Sequence, residues 1–241
     1  MVLYHGSYTK IEIPRIIAQE KGRDFGFGFY TTTIKNQAER WAIRSARLYS
    51  KLTGKEENAV INVYEYDEKL AGNLKTKSFE NADLEWLDFV VRCRSDLNFK
   101  HGFDIVSGKI ANDNVGETVD YVLAGIMRKE DAVERLRFEK INDQICFCTE
   151  EALKCLSFKE NCIFQKNQVG KNLMADTHHL AKTILIPQVA ELLMKNKNVS
   201  ENEALRMIYT SPVAELLEDD SMGLYGQSAL YIYSLIENDK V

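Results

Sequence analysis

No run of the 241-residue chain comes near the roughly 18 apolar residues that a membrane helix needs. Residues Met1 to Gly6 show no basic region followed by a long apolar run, so no secretory signal is expected there, and the expected location is cytoplasmic. Histidine is scarce: His5, His101, His178 and His179 are all there is. The five cysteines (Cys93, Cys146, Cys148, Cys155, Cys162) are odd in number and sit in apolar contexts. Cys146-Ile-Cys148 lacks the two-residue gap of CxxC zinc and redox patterns. A metal site is therefore not expected, and buried free thiols in a reducing compartment are. A basic excess is missing too. From Ala175 onward there are ten Asp/Glu and five Lys/Arg, which accounts for the whole net charge of −5 and leaves 26 of each sign ahead of it. A neutral front and an acidic back lack the electrostatic footprint of a nucleic-acid binder. Neither a membrane nor a nucleic acid is an expected partner.

What is present is an ordinary balance, 45% apolar and 28% charged, in a length that suits one large domain or one medium and one small. Val2-Leu3-Tyr4 has strand character and ends at His5-Gly6-Ser7. Gly22-Arg-Asp24 leads into Phe25-Gly-Phe-Gly-Phe-Tyr30-Thr-Thr-Thr33, where glycines alternate with aromatics. Glycine lets backbone pass close to another group, and aromatics offer flat faces to a planar ring. Thr33 is the expected N-cap of a helix reaching about Leu52, with Ala38, Trp41, Ala42, Ser45 and Leu48 on one face and Gly54 as the stop.

Ala59–Tyr66 reads as a strand, as do Phe103–Ile110 and Gln144–Cys148. Asp83 is expected to cap a helix to about Cys93 whose end carries Arg92 and Arg94. Residues Ala111–Asn114 read as a turn. Short helices are expected near Val119–Met127 and Glu130–Leu136, and another, capped by Thr149, over Glu150–Leu156. Strands broken by helices without a regular βαβ beat predict an α+β fold with a mostly antiparallel sheet. The GxGxxG order is absent, which removes a Rossmann site. Residues 161–176, rich in Asn, Gln and Lys, read as a linker between a domain over 1–160 and a helical domain over 177–241. In the latter, helices are expected over Thr177–Lys195 (bent or broken at Pro187), Ser200–Tyr209, Ser211–Leu217 and Gln227–Glu237. Ser200-Glu-Asn-Glu203 is a capping box, and Pro212 suits a first helical turn.

Three separated pieces then line up: Leu3-Tyr-His-Gly-Ser7, Phe25-Gly-x-Gly-x-Tyr30 with Trp41 eleven residues on, and a late strand opening at Asn142-Asp-Gln-Ile-Cys-Phe147. Their order and spacing resemble the ADP-ribosyltransferase superfamily, in the His-Tyr-Glu group that includes the poly(ADP-ribose) polymerases and diphtheria-type toxins, and among these a set of bacterial domains with the same opening. The segments Trp86-Leu-Asp-Phe89, Arg94 and Asp104-Ile-Val-x-Gly108-x-x-Ala-Asn-Asp113 extend the likeness, which covers about residues 1–160. The helical tail is similar to a small bacterial family without assigned activity.

The resemblance implies an ADP-ribosyltransferase-like split antiparallel core and NAD as substrate. It implies that His5 bonds a ribose hydroxyl, that the Gly6 backbone meets the nicotinamide carboxamide with Ser7 nearby, and that Tyr30, beside Gly28, stacks on the nicotinamide ring. Trp41 falls at the spacing of the aromatic on the ring's other side, Ala38 replaces a family serine just ahead of it, and Arg94 could reach the pyrophosphate. The family's catalytic glutamate corresponds to Asp143 or to Gln144, depending on register. Neighbouring strand residues face opposite ways, and Gln144 shares a face with Cys146 and Cys148 while Ile145 and Phe147 suit the core, which favours Gln144. Glutamine hydrogen-bonds but cannot act as a base. Glu139 or Glu150 could then supply a carboxylate. The expected activity is mono-ADP-ribosyl transfer from NAD to an unidentified macromolecular acceptor, in a toxin, effector or defence role, with the tail contacting a protein partner. Alternatives are an NAD or ADP-ribose sensor without catalysis and a structural partner protein. Each residue also has a plainer reading: Tyr30 and Trp41 as core aromatics, Arg92 and Arg94 as a helix end or an ion pair, Asn112 and Asp113 as a turn, Cys146 and Cys148 as packing without a nearby histidine.

Overall fold

Short β-rich segments spread through the first 164 residues form strands that pair across long sequence distances. The computed structural model describes residues 1–16, 22–96, 98–110, 113–136, 142–164, 179–219 and 222–238. Strand β1 (Val2–Ser7) pairs antiparallel with β3 (Ala59–Tyr66), and β3 with β7 (Leu156–Phe164). A second sheet runs β2 (Phe29–Thr31), β6 (Asn142–Phe147), β5 (Ile105–Ile110), β4 (Thr76–Phe79), antiparallel except for the β4–β5 pair. The fold is α+β. Edge strands β1 and β2 meet where Tyr4 N donates to Thr32 O and Thr32 N to Tyr4 O, each at 2.9 Å. This bridge brings the first two motifs together.

Helix α1 (Lys35–Thr53) lies on β1 and β3, with Ala38, Ala42 and Ala46 buried at four-residue spacing against Ile61 and Val63. Small side chains at one helical period give a close helix–sheet approach. Gly54, at φ 68°, ends α1 in the left-handed conformation. Thr33 is not the cap. Ile34 holds that position without a side-chain bond, and the Thr33 hydroxyl donates to Asp143 instead. Helix α2 (Glu68–Ala71) follows β3. Asp83 accepts the Trp86 amide and opens α3 (Leu84–Ser95). With α4 (Asp113–Leu123) and α5 (Lys129–Leu136), α3 buries Trp86, Leu87, Val119 and Leu136 against the second sheet. Helix α4 thus begins inside the stretch read as a turn, of which 111–112 lies outside the described residues. Thr149 accepts the Ala152 amide and starts α6 (Glu150–Leu153), shorter than expected.

Strands β4 and β7 and helix α2 were not expected from the sequence. β7 runs through residues read as a helix end and the start of a linker. Its middle, Lys159-Glu-Asn161, is polar because β7 is an edge strand with one face in water. The rest of the linker and His178 lie outside the described residues.

The tail forms α7 (His179–Lys197), continuous through Pro187, then α8 (Glu201–Thr210), α9 (Pro212–Glu218), a 3-10 turn at Leu224–Gly226 and α10 (Ala229–Asn238). The Ser200–Glu203 capping box forms and Pro212 occupies the first turn. Leu48 of α1 is buried in the same apolar cluster as Leu193 and Ile232, so the tail packs on the front of the chain. The Gly22 carbonyl accepts the Ser228 hydroxyl at 2.8 Å. Among the described residues no helix is long and apolar enough to cross a membrane.

At Gly116 of α4 the two parts touch backbone to backbone: a Cβ there would sit 2.2 Å from Gly226 O and 2.9 Å from Gly226 Cα. Alanine favours a helix over glycine by about 1 kcal/mol, so a net loss would isolate the collision. Gly116→Ala is expected to lower stability by roughly 1–3 kcal/mol. It should also speed amide hydrogen exchange in residues 222–238 more than in β3. Equal protection in both proteins would show that the tail does not rest on α4.

Candidate functional site

A cavity of about 480 Å³ opens where β1, β2, α1 and the tail converge. His5, Gly6, Ser7, Gly28, Tyr30, Trp41, Arg94 and Gln144 all line it. His5 sits on β1 opposite Asn62, and its ring is fixed from two sides. It stacks on Phe29 with centroids 4.3 Å apart, and Nδ1 lies 2.6 Å from Tyr30 O. A carbonyl only accepts, so Nδ1 carries the proton in this contact.

Tyr30 pairs with Cys146 across β2–β6, and its hydroxyl donates to Gly26 O while accepting the Phe25 amide at 3.2 Å. Burial first, then the neighbouring Cys146 and Cys148 thiols, push that hydroxyl well above its ordinary pKa. Tyr30 therefore stays neutral, anchored at its tip, with its half-buried ring flanking the cavity. Both motif glycines are required by packing. A Cβ at Gly6 would lie 2.2 Å from Ala38 O, and one at Gly28 would lie 2.3 Å from Cys146 Sγ. Ser7 is buried, with the Thr9 amide 3.4 Å from its hydroxyl.

On β6, Gln144 lines the cavity. Asp143 turns elsewhere, its carboxylate accepting the hydroxyls of Thr32 (2.8 Å) and Thr33. Cys146 departs from the expected division of faces: it is fully buried in the core with Trp86 and Val106. Glu150 is exposed at the start of α6, outside the cavity lining, and Glu139 falls outside the described residues.

Two placements differ from what the resemblance implied. Trp41 does not present a bare face: the Arg23 guanidinium lies 5.0 Å from its ring centroid and 4.3 Å from that of Tyr231, sandwiched between them. Arg94 is 4% exposed and held three ways, Nε to Asp24 at 2.7 Å, Nη1 to Asp120 at 3.3 Å and Nη2 to Gly226 O at 3.4 Å. It is a clamp between α3, α4 and the tail, with Nε, Nη1 and Nη2 each bonded once inside the protein.

Sequence reasoning missed the tail's contribution. Met222, Leu224, Gln227 and Tyr231 line the cavity, and no local signal ties them to residues 5–30. It also missed the charge of the wall: Arg15, Arg23, Arg40, Arg44 and Arg94 face a single lining carboxylate, Asp24, among the described residues. The i, i+4 spacing of Arg40 and Arg44 beside Trp41 was a legible trace of this. Asp24 is tied to Arg94, so the lining favours an anionic guest. A histidine is near the cysteines after all. His101 bonds Phe25 O through Nε2 at 3.3 Å and lies near enough to Cys148 to lower its thiol pKa. Among the described residues no group of three or more His, Cys, Asp or Glu could hold a metal ion.

The chain belongs to a family described as a protein of unknown function, DUF3990, whose model matches residues 1–158. The matched stretch ends within β7, ahead of the helical tail. No curated protein and no solved structure matches the chain.

The Arg94 clamp has a pH signature. Burial, opposed by Arg94 and reinforced by Asp24 and Glu117, pushes Asp120 from 3.8 up to about 7, and its Oδ2 has no hydrogen-bond partner. Between those two values the folded protein holds a proton that the unfolded chain has released, so stability falls as pH rises from about 4 to about 7. Asp120→Asn should flatten that limb in denaturant titrations run across this range. An unchanged slope in the variant would remove Asp120 as its cause.

Proposed function

For a family without an assigned activity, we propose an NAD-dependent mono-ADP-ribosyltransferase, which breaks the nicotinamide–ribose bond of NAD and passes ADP-ribose to an acceptor. The observation that carries the reading is one cavity gathering His5, Gly6, Tyr30, Trp41 and Gln144, from segments far apart in sequence, under an arginine-rich wall. The volume of about 480 Å³ lies in the range of ligand sites. The residues fit the parts of such a substrate. Tyr30 offers a ring face, Gly6 a stretch of backbone in the cavity wall, His5 an imidazole held in one orientation, and Arg15, Arg40 and Arg44 cationic partners for a pyrophosphate.

Loss of nicotinamide passes through an oxocarbenium-like state, so the protein's tasks are to hold the leaving group, orient the ribose and keep water out. Tyr30 is pre-positioned for the first by its bonds to Gly26 and Phe25, and His5 for the second by Phe29 and Tyr30 O. Gln144 can bond a ribose hydroxyl but cannot take a proton from an acceptor. Chain growth by repeated transfer is thus disfavoured, and single transfer or NAD hydrolysis remains. The acceptor is a macromolecule whose identity the site does not specify.

A second reading, an NAD- or ADP-ribose-binding module without catalysis, is favoured by the same residue. Gln144 stands where the family it resembles has glutamate, and the nearby carboxylates of Asp24 and Asp143 are committed to Arg94 and to two threonines.

Incubation with NAD, following nicotinamide release by chromatography, separates the two. Release that is lost in His5→Ala and Tyr30→Ala is the expected result. Gln144→Glu should raise it by on the order of a hundredfold, the low end of what a positioned acid–base group supplies. NAD binding without release in either the wild type or Gln144→Glu would favour the sensor. No binding at millimolar NAD would end both.

A further inference from the structure

The Gly26–Gly28 turn is surrounded by sulfur and imidazole. A Cβ at Gly26 would lie 3.7 Å from His101 Nε2 and 3.8 Å from Cys93 Sγ, and one at Gly28 would lie 2.3 Å from Cys146 Sγ. Cys146 and Cys148 stand two apart at the end of β6, on one face of the strand, with their sulfurs 3.4 Å apart. Cys148 is one residue past the strand and half-buried, whereas Cys146 is fully buried. His101 accepts the Phe103 amide at Nδ1, so its Nε2 carries a proton and directs it at Phe25 O, with the ring close enough to Cys148 to lower that thiol's pKa. None of these groups has a task in ADP-ribosyl transfer.

We propose that Cys148 is a thiol reactive towards hydroperoxides and that Cys146 is the thiol that resolves it. The Cys148 thiolate attacks one peroxide oxygen, the O–O bond breaks, and the leaving oxygen departs as water or an alcohol after taking a proton. Cys148 becomes a sulfenic acid. The Cys146 sulfur then displaces its oxygen, the S–S bond forms, and the released hydroxide leaves as water with the Cys146 proton. The two thiols supply both electrons, and the peroxide is the oxidant.

The geometry assigns the roles. The attacking sulfur must be the more reachable of the two and the readier to lose its proton: Cys148 is half-buried where Cys146 is fully buried, and hydrogen bonding with Cys146 first, then the nearby His101, lowers its pKa. Burial above all pushes Cys146 well up, so it keeps its proton until the sulfenic acid has formed. The sulfurs have to close from 3.4 Å to a bond of about 2.05 Å, and Cys148 already lies one residue beyond the end of β6. Cys93 is the competing resolver, but burial raises it too and no sulfur contact joins it to Cys148 among the described hydrogen bonds. Cys146 also pairs with Tyr30 across β2–β6, so oxidation would act on one wall of the cavity. The chemistry is independent of what the cavity binds.

The test is a titration of the full-length protein with hydrogen peroxide, followed by alkylation of the remaining thiols and peptide mapping by mass spectrometry. The expected product has lost two hydrogens within the peptide spanning residues 146 and 148, while Cys155 and Cys162 stay alkylatable. Before oxidation, Cys148 should be alkylated at neutral pH faster than Cys146, whose burial raises its pKa and hides it from the reagent. Cys148→Ser should abolish the product, and Cys146→Ser should leave a sulfenic acid at 148 that dimedone traps. Oxidation of 146 and 148 no faster than of Cys162 would overturn the proposal. A disulfide to Cys93 would overturn the assignment of the resolving thiol. The wild-type map decides both points even if a variant fails to fold.

Discussion

Two backbone hydrogen bonds between Tyr4 and Thr32 join the edge of one sheet to the edge of the other, and the cavity depends on that join. Each contributes only about 0.5–1.5 kcal/mol net, so their importance is positional rather than energetic. They fix β1 against β2 so that the His5 ring reaches the Tyr30 carbonyl. The free energy holding the sheets in this relation comes from the apolar groups between them, where Leu3, Phe29, Tyr64 and Phe147 are buried together.

Around that join, distance is set by residues without side chains. Gly6 admits α1, Gly28 admits β6, and Gly116 admits the tail, each at a separation that a Cβ would violate against backbone or a buried sulfur. The motif glycines are therefore needed for packing whatever the cavity holds. The chemistry-bearing side chains follow from this closeness: because α1 lies flush on β1, Trp41 and Arg44 reach the same space as His5.

The charge of the site has a similar logic. Arg94 is buried and compensated by two carboxylates, and a guanidinium removed from water is tolerable only when so paired. That arrangement consumes Asp24, the one carboxylate lining the cavity among the described residues, and leaves the wall cationic. Gln144 adds hydrogen bonding without charge. A site built this way suits an anionic guest and is poor in bases.

The sequence alone was enough for much of the local structure, because local structure obeys local rules. The β-branched and aromatic content of Ala59–Tyr66, the Asp83, Thr149 and Ser200 caps and the Gly54 stop are each properties of a few neighbouring residues, and each element formed as read. The Thr33 cap failed because a distant Asp143 competes for its hydroxyl. Strand β7 was illegible because an edge strand with a wet face carries polar residues that also suit a linker. For the site, motif spacing was sufficient to nominate His5, Gly6, Tyr30, Trp41 and Gln144. It could not supply the capture of Arg23 between Trp41 and Tyr231, the burial of Arg94, the tail wall or the meeting of His101 with Cys148. Those depend on which surfaces touch after folding, a matter of packing between segments as far apart as Gly22 and Ser228, and no residue-by-residue preference encodes it.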